Sequence, residues 1–280
     1  MADNVSQQQT VALTSTPVFS VALDESVDIN GIPCLAVFAR YSDTEVLKVF
    51  TDHFENRGVD IGKIFAITTD GAPAMVGKNM GFNKMVEDKI GHPILKLHCI
   101  VHQENLRAKI LSSDLNKVMT TVTKSVIFLV AQSSLTHRQF QAFLEEVDSM
   151  YKDIPLHCSV RWLSCGKVLK RFVECFDEIQ IFLSEKGQDY PEQENRDWIV
   201  KLIFLSDITK HLNDLNLLLQ GAGKTVMDLY DTCKVFVAKL AVYSTDIKTG
   251  SFRYFKNLKN LSAIHPVNTT NLQLYMQELV

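Results

Sequence analysis

The sequence predicts an α/β domain followed by an all-α domain, and three observations carry that reading. Short runs of Val, Ile, Leu and Phe alternate with helical spacings up to about residue 101. After Gln103 apolar residues recur only at steps of three and four. Such a switch from mixed to purely helical periodicity marks a sheet with crossover helices followed by a bundle.

The chain has 280 residues, enough for one large or two modest domains. Residues 1–17 are polar, rich in Ser, Thr and Gln and without period, and are expected to be a disordered tail. Val18–Leu23 and Ile32–Ala39 read as strands, with Asn30-Gly31 between them as the pair that suits a hairpin turn. Val46, Leu47, Phe50 and Phe54 mark a helix, Ile64–Thr69 a strand stopped by Asp70-Gly71-Ala72-Pro73, Phe82–Ile90 a short helix and Ile94–Val101 a further strand. The pattern to this point is ββαβαβ, a mixed sheet over residues 18–112.

Residues 113–244 read as a bundle. Leu115, Val118, Val122 and Leu129 start it; Phe140, Leu144 and Val147 follow; Leu169 to Leu183, Trp198 to Leu219 and Val226 to Leu240 repeat the period. Gly221-Ala222-Gly223-Lys224-Thr225 resembles the end of a phosphate loop, but a helix precedes it and Leu218 stands where the first glycine would fall. It reads as a break between helices. Residues 245–280, interrupted by Gly250, Asn260, Pro266 and Asn268, are expected to be a weakly structured tail in which Leu272–Val280 starts one more helix.

Charge and cysteine usage narrow the function classes. There are 29 Lys+Arg and 32 Asp+Glu, which excludes a non-specific polycation for nucleic acid. Residues 1–92 hold 7 basic and 12 acidic side chains and residues 93–280 hold 22 and 20, so a DNA contact is expected as a local patch in the second part. Six cysteines without a Cys-x-x-Cys pair read as reduced thiols of an intracellular protein. No run approaches the roughly 18 apolar residues of a membrane span, and no secretory signal pattern is present.

Three constellations could carry chemistry. Asp24 and Asp70 follow two predicted strands; in parallel neighbours both carboxylates would emerge at one sheet edge, where Mg²⁺ or Mn²⁺ could relieve their repulsion. Turn formation by Asp explains the same residues and is favoured on spacing alone. His98, Cys99 and His102, followed far along the chain by His157-Cys158, are zinc-ligand types, but no second pair has finger-like spacing, so packing at a strand-to-helix junction is favoured. Arg161 and Trp162, with Lys167, Lys170 and Arg171 along one helix, could grip phosphate and stack on an unpaired base. A solvated basic helix anchored by Trp162 is favoured on these residues alone.

The words VALDESVD, TTDGAPAMVGK, HCIVHQENLRAK, THRQFQAFLEEVDSMY and VRWLSCGKVLKRF, in this order between about Phe19 and Leu240, resemble hAT-superfamily DNA transposases, above all their domesticated members. The resemblance implies a truncated RNase H-like domain followed by a helical insertion domain. Asp24 and Asp70 would correspond to the first two catalytic acids, Cys99 and His102 to the family's Cys-x-x-His, and Arg161-Trp162 to its Arg-Trp pair near the DNA end. The third acid and the amino-terminal zinc finger of the family have no counterpart in these residues. The expectation is therefore a catalytically inactive, transposase-derived nuclear protein that needs no cofactor and acts through DNA, protein partners or self-association. Two alternatives stand beside it: a nuclease using Asp24, Asp70 and Mg²⁺ or Mn²⁺, and a decayed fragment without selected activity. A missing third strand around Tyr41–Thr44 is also expected, so that either the helix before Gly58 lies across the sheet or the Asp70 strand reverses.

Overall fold

The computed structural model describes residues 2–22, 25–27, 33–35, 43–100, 102–103, 112–156, 162–188, 190–220 and 224–279. They belong to two compact units, Met1–Gln103 and Glu104–Val280. Asp24, the Asn30-Gly31 turn, His157-Cys158, Arg161 and Gly221–Gly223 lie outside the described residues.

The first unit is built on a three-stranded parallel sheet in the order β1 (Phe19–Ala22), β4 (Ile64–Thr69), β5 (Leu95–His98). The expected first strand contains β1, but the partner of the second lies beyond it: β2 (Glu25–Val27) pairs antiparallel with β3 (Pro33–Leu35), Val27 opposite Pro33, in a separate short ladder. Since β1 and β4 run parallel, the reversed Asp70 strand is ruled out. Helices α2 (Asp43–Glu55) and α4 (Phe82–Ile90) supply the apolar cover, with the four-residue α3 (Pro73–Val76) between them in sequence. Phe50, Phe54, Phe82, Val86, Ile64, Ile67 and Ile94 form the core, and Phe50 meets Phe54 and Phe82 edge-on at 5.0 and 5.1 Å. Glu87 fastens α4 to β5 by accepting the Ile94 N–H (3.0 Å) and the Lys96 ammonium (2.7 Å).

Residues 2–15 are not a disordered tail: they form α1 (Ala2–Ser15). With no Gly or Pro before Pro17, nothing breaks the helix, and its polar composition hides it from a periodicity argument. Leu13 packs on the first-unit core, and Lys63 Nζ donates to the Thr14 carbonyl at 2.9 Å, a carbonyl at the helix end that needs a partner.

The second unit is helical throughout its described residues: α5 (Ser113–Val126), a π-helical turn (Ile127–Ala131), α6 (Ser134–Glu146), α7 (Trp162–Glu174), α8 (Phe176–Glu185), a 3₁₀ turn (Pro191–Glu194), α9 (Arg196–Leu219), α10 (Val226–Thr249), α11 (Lys256–Ile264) and α12 (Thr270–Leu279). Ser112, Ser133 and Asn195 cap α5, α6 and α9 by accepting N–H bonds. Thr225 and Asp228 form a capping box for α10. One apolar core runs from Leu115 through Phe140, Phe172, Phe204 and Ile247 to Met276.

The tail expected over residues 245–280 is part of this core. Phe252, Phe255, Leu258, Leu272 and Met276 are buried, and Phe255 stacks on Phe204 at 5.9 Å. Two buried carboxylates hold the segment. Asp207 of α9 accepts the N–H groups of Asn257 (3.0 Å) and Leu258 (3.1 Å), capping α11 from another helix. Asp246 of α10 accepts those of Arg253 and Tyr254, both at 3.0 Å. Among the described residues no single helix is long and apolar enough to cross a membrane.

Candidate functional site

The parallel register sets the carboxyl ends of all three strands at one edge, with Ala22 opposite Thr68 and Thr69 opposite His98. The loop after β4 begins with Asp70, whose Oδ1 accepts the Ala72 N–H at 2.9 Å and closes the turn into α3. Gly71 has φ +77°, and a Cβ there would lie 2.6 Å from Cε1 and Nε2 of His98. Only glycine meets both the backbone conformation and the approach of that ring. The Cys99 N–H donates to the Thr69 carbonyl at 2.8 Å, drawing the end of β5 to the end of β4. The Gln103 N–H returns to the Cys99 carbonyl at 2.9 Å, and the His98 and His102 rings lie 5.9 Å apart.

Asp70, His98, Cys99 and His102 thus share the edge. Among the described residues, however, no group of three His, Cys, Asp or Glu side chains converges to hold a metal ion. Asp24, which the register would bring toward this edge, is outside those residues. The described set alone does not fit a divalent-cation centre. Beside it, the Thr69 hydroxyl is buried without a hydrogen-bond partner.

The basic helix divides into two roles. Lys167 and Lys170 of α7 are exposed, with Lys170 Nζ 3.9 Å from Glu174. Arg171, expected among the DNA contacts, is engaged inside the unit: its guanidinium lies 3.6 Å from the centroid of the Tyr151 ring and donates to the Asp153 carbonyl at 2.5 Å. Asp153 in turn accepts from Ile154 N–H (2.7 Å) and from Gln141 Nε2 (3.0 Å), and contacts His137 Nε2 at 2.9 Å. Arg171 therefore fastens the segment after α6 to α7. Sequence reasoning could not see this, because Tyr151 and Asp153 lie 20 and 18 residues upstream with no periodic relation to Arg171. An open cavity of about 470 Å³ lies between Tyr151, Pro155, Lys167 and Lys170. Trp162 opens α7, and Arg161 before it is outside the described residues.

A strand-edge site on a small sheet unit, joined in sequence to a helical unit with a basic helix, defines the class to which this protein can be compared. Residues 98–248, more than half of the chain, match the family model described as the FAM200/GTF2IRD2 helical domain, and the chain belongs to this FAM200-GTF2IRD2-like family. It is similar to General transcription factor II-I repeat domain-containing protein 2 of Bos taurus, with 31% identity over 288 aligned residues covering 94% of this chain and 30% of the relative. The Mus musculus protein of the same name is 31% identical over 276 residues, covering 89% of this chain and 29% of the relative. The chain thus spans less than a third of the length of these curated relatives.

Proposed function

We propose that this chain is a transposon-derived module of the hAT type, an RNase H-like sheet unit with a helical insertion unit, that acts in the nucleus by binding DNA or protein rather than by catalysis. The parallel order β1-β4-β5 with an acid directly after β4 supports the RNase H-like reading. Family membership, and relatives whose name is that of a general transcription factor repeat protein, support the nuclear one. The observation that carries the non-catalytic reading is the Asp70 carboxylate, which serves as the acceptor that closes its own turn. The continuous core of the second unit favours a folded binding scaffold over a decayed fragment.

DNA binding in this reading is a matter of Lys167 and Lys170, with Arg161 and Trp162 at the start of the same segment. Each phosphate contact made by a lysine releases counterions, so affinity must fall with salt. The test is hairpin and branched DNA titrated with the chain in Mg²⁺ or Mn²⁺, followed both by anisotropy and on denaturing gels. Binding that weakens several-fold in Lys167→Glu with Lys170→Glu, with no nicked product, is the expected result. Nicking abolished by Asp70→Asn would overturn it.

A second reading has one observation in its favour. β1 ends at Ala22, two residues before Asp24 in sequence, at the edge where β4 delivers Asp70. That is the arrangement a metal-dependent nuclease requires, and the same gels decide it.

A further inference from the structure

His92 joins the entrances of two strands of the sheet unit. It stands in the turn between α4 and β5, and its Nε2 lies 2.8 Å from the Gly62 carbonyl oxygen, in the 3₁₀ turn (Ile61–Lys63) that leads into β4. Its Nδ1 lies 3.1 Å from the carbonyl oxygen of Pro93. Both partners are acceptors. A neutral imidazole has one N–H, so it would turn a lone pair toward the second carbonyl, and only the cation donates to both.

The turn at Gly62 is a junction. Asp60 Oδ1 accepts the Gly62 N–H at 2.8 Å, and Lys63 Nζ donates to Thr14 at the end of α1. The charged groups that the adjoining elements bring here have other partners. On α4, Lys84 pairs with Asp88, Lys89 lies 3.9 Å from Glu55 of α2, and Glu87 holds Lys96 of β5. The proton on His92 is therefore governed by the two carbonyls rather than by a neighbouring charge.

We propose that His92 is a pH-operated clasp, whose imidazolium binds the start of β5 to the turn before β4 and whose loss of a proton releases one of the two carbonyls. The proposal goes beyond the binding function above and does not rest on it. The Gly62 carbonyl, and after it that of Pro93, holds the histidine above its usual 6.5. A group raised in the folded state contributes fully below its unfolded value, so the clasp is closed below about pH 6.5 and opens as pH rises through the folded value. It acts at the amino ends of β4 and β5, away from the edge that carries Asp70.

Long-range ¹H–¹⁵N correlation spectra of the imidazoles in the intact chain, recorded from about pH 5 to about pH 9, test this. His92 is assigned by the signal lost in His92→Gln. Both of its ring nitrogens are expected in the protonated shift range at pH 6, with a midpoint above the ordinary 6.5. The backbone amides of Gly62 and Lys63 are expected to shift with the same midpoint in the wild type and to hold still in His92→Gln. A single neutral tautomer at pH 6, a midpoint at or below 6.5, or amides that titrate equally in His92→Gln would overturn the proposal.

Discussion

The two units solve the same problem of holding chain ends in different ways. In the helical unit two buried carboxylates hold the last segment: Asp207 caps α11 fifty residues downstream, and Asp246 gathers Ser251, Arg253 and Tyr254 just after its own helix. In the sheet unit the candidate site is held by one bond within a turn, Asp70 to Ala72, and by one backbone bond between strand ends, Cys99 to Thr69. Long-range caps make a cooperative core. The Asp70 bond, confined to its own turn, leaves a strand-end loop that can be altered without dismantling the rest.

The comparison predicts a ranking of effects. The largest belongs to the helical core: Phe204→Ala, which removes a fully buried ring stacked on Phe255 and 5.9 Å from Tyr275, is expected to cost about 3–5 kcal/mol in urea unfolding. Asp207→Ala comes next. It strands the N–H groups of Asn257 and Leu258 in a buried site and is expected to cost about 2–3 kcal/mol. Burial pushes the Asp207 carboxyl up to about 6, against the opposing pull of its N–H donors. A carboxyl raised in the folded state favours folding most when protonated. Its contribution therefore declines as pH rises from about 4 to about 6, and this slope in melting temperature is expected to vanish in Asp207→Asn.

That cap also explains what could be read in advance. The apolar stripes of α5 to α10 were legible at steps of three and four, but the break at Cys175 that divides the Leu169–Leu183 stripe between α7 and α8 was not. Residues 250–264 were not, since their order comes from Asp207 and Asp246, whose sequence neighbourhoods say nothing about α11. Helix α1 escaped for the opposite reason, as a polar helix held by Leu13 and Lys63 has no stripe to read. At the site, Asp70 and Cys99 stood out as residue types, while the contact between His98 and Gly71 required the register of β4 against β5. Arg171 stood out as a cation, while its engagement with Tyr151 was not legible.

Smaller effects are expected at the sheet edge. Gly71→Ala combines a left-handed backbone with a clash against the His98 ring and is expected to cost about 1–3 kcal/mol. His98→Ala should relieve only the clash, so a double-mutant cycle read by urea unfolding separates strain from contact. Asp70→Ala is expected to cost about 1 kcal/mol through the lost N–H acceptor. Asp70→Asn keeps an acceptor oxygen in place, and its unfolding midpoint should stay near the wild type. Equal losses in the two variants would mean that the charge of Asp70, rather than its hydrogen bond, matters to the fold.

Calorimetric titration of Mn²⁺ into the intact chain and into Asp70→Asn tests the central claim most directly, because Asp70→Asn preserves the turn and removes only the charge. If Asp70 is a structural cap in a binding protein, the two proteins give the same heats and neither binds Mn²⁺ in the micromolar range. Micromolar binding by the wild type that disappears in Asp70→Asn would contradict that account and establish the strand edge as a metal site.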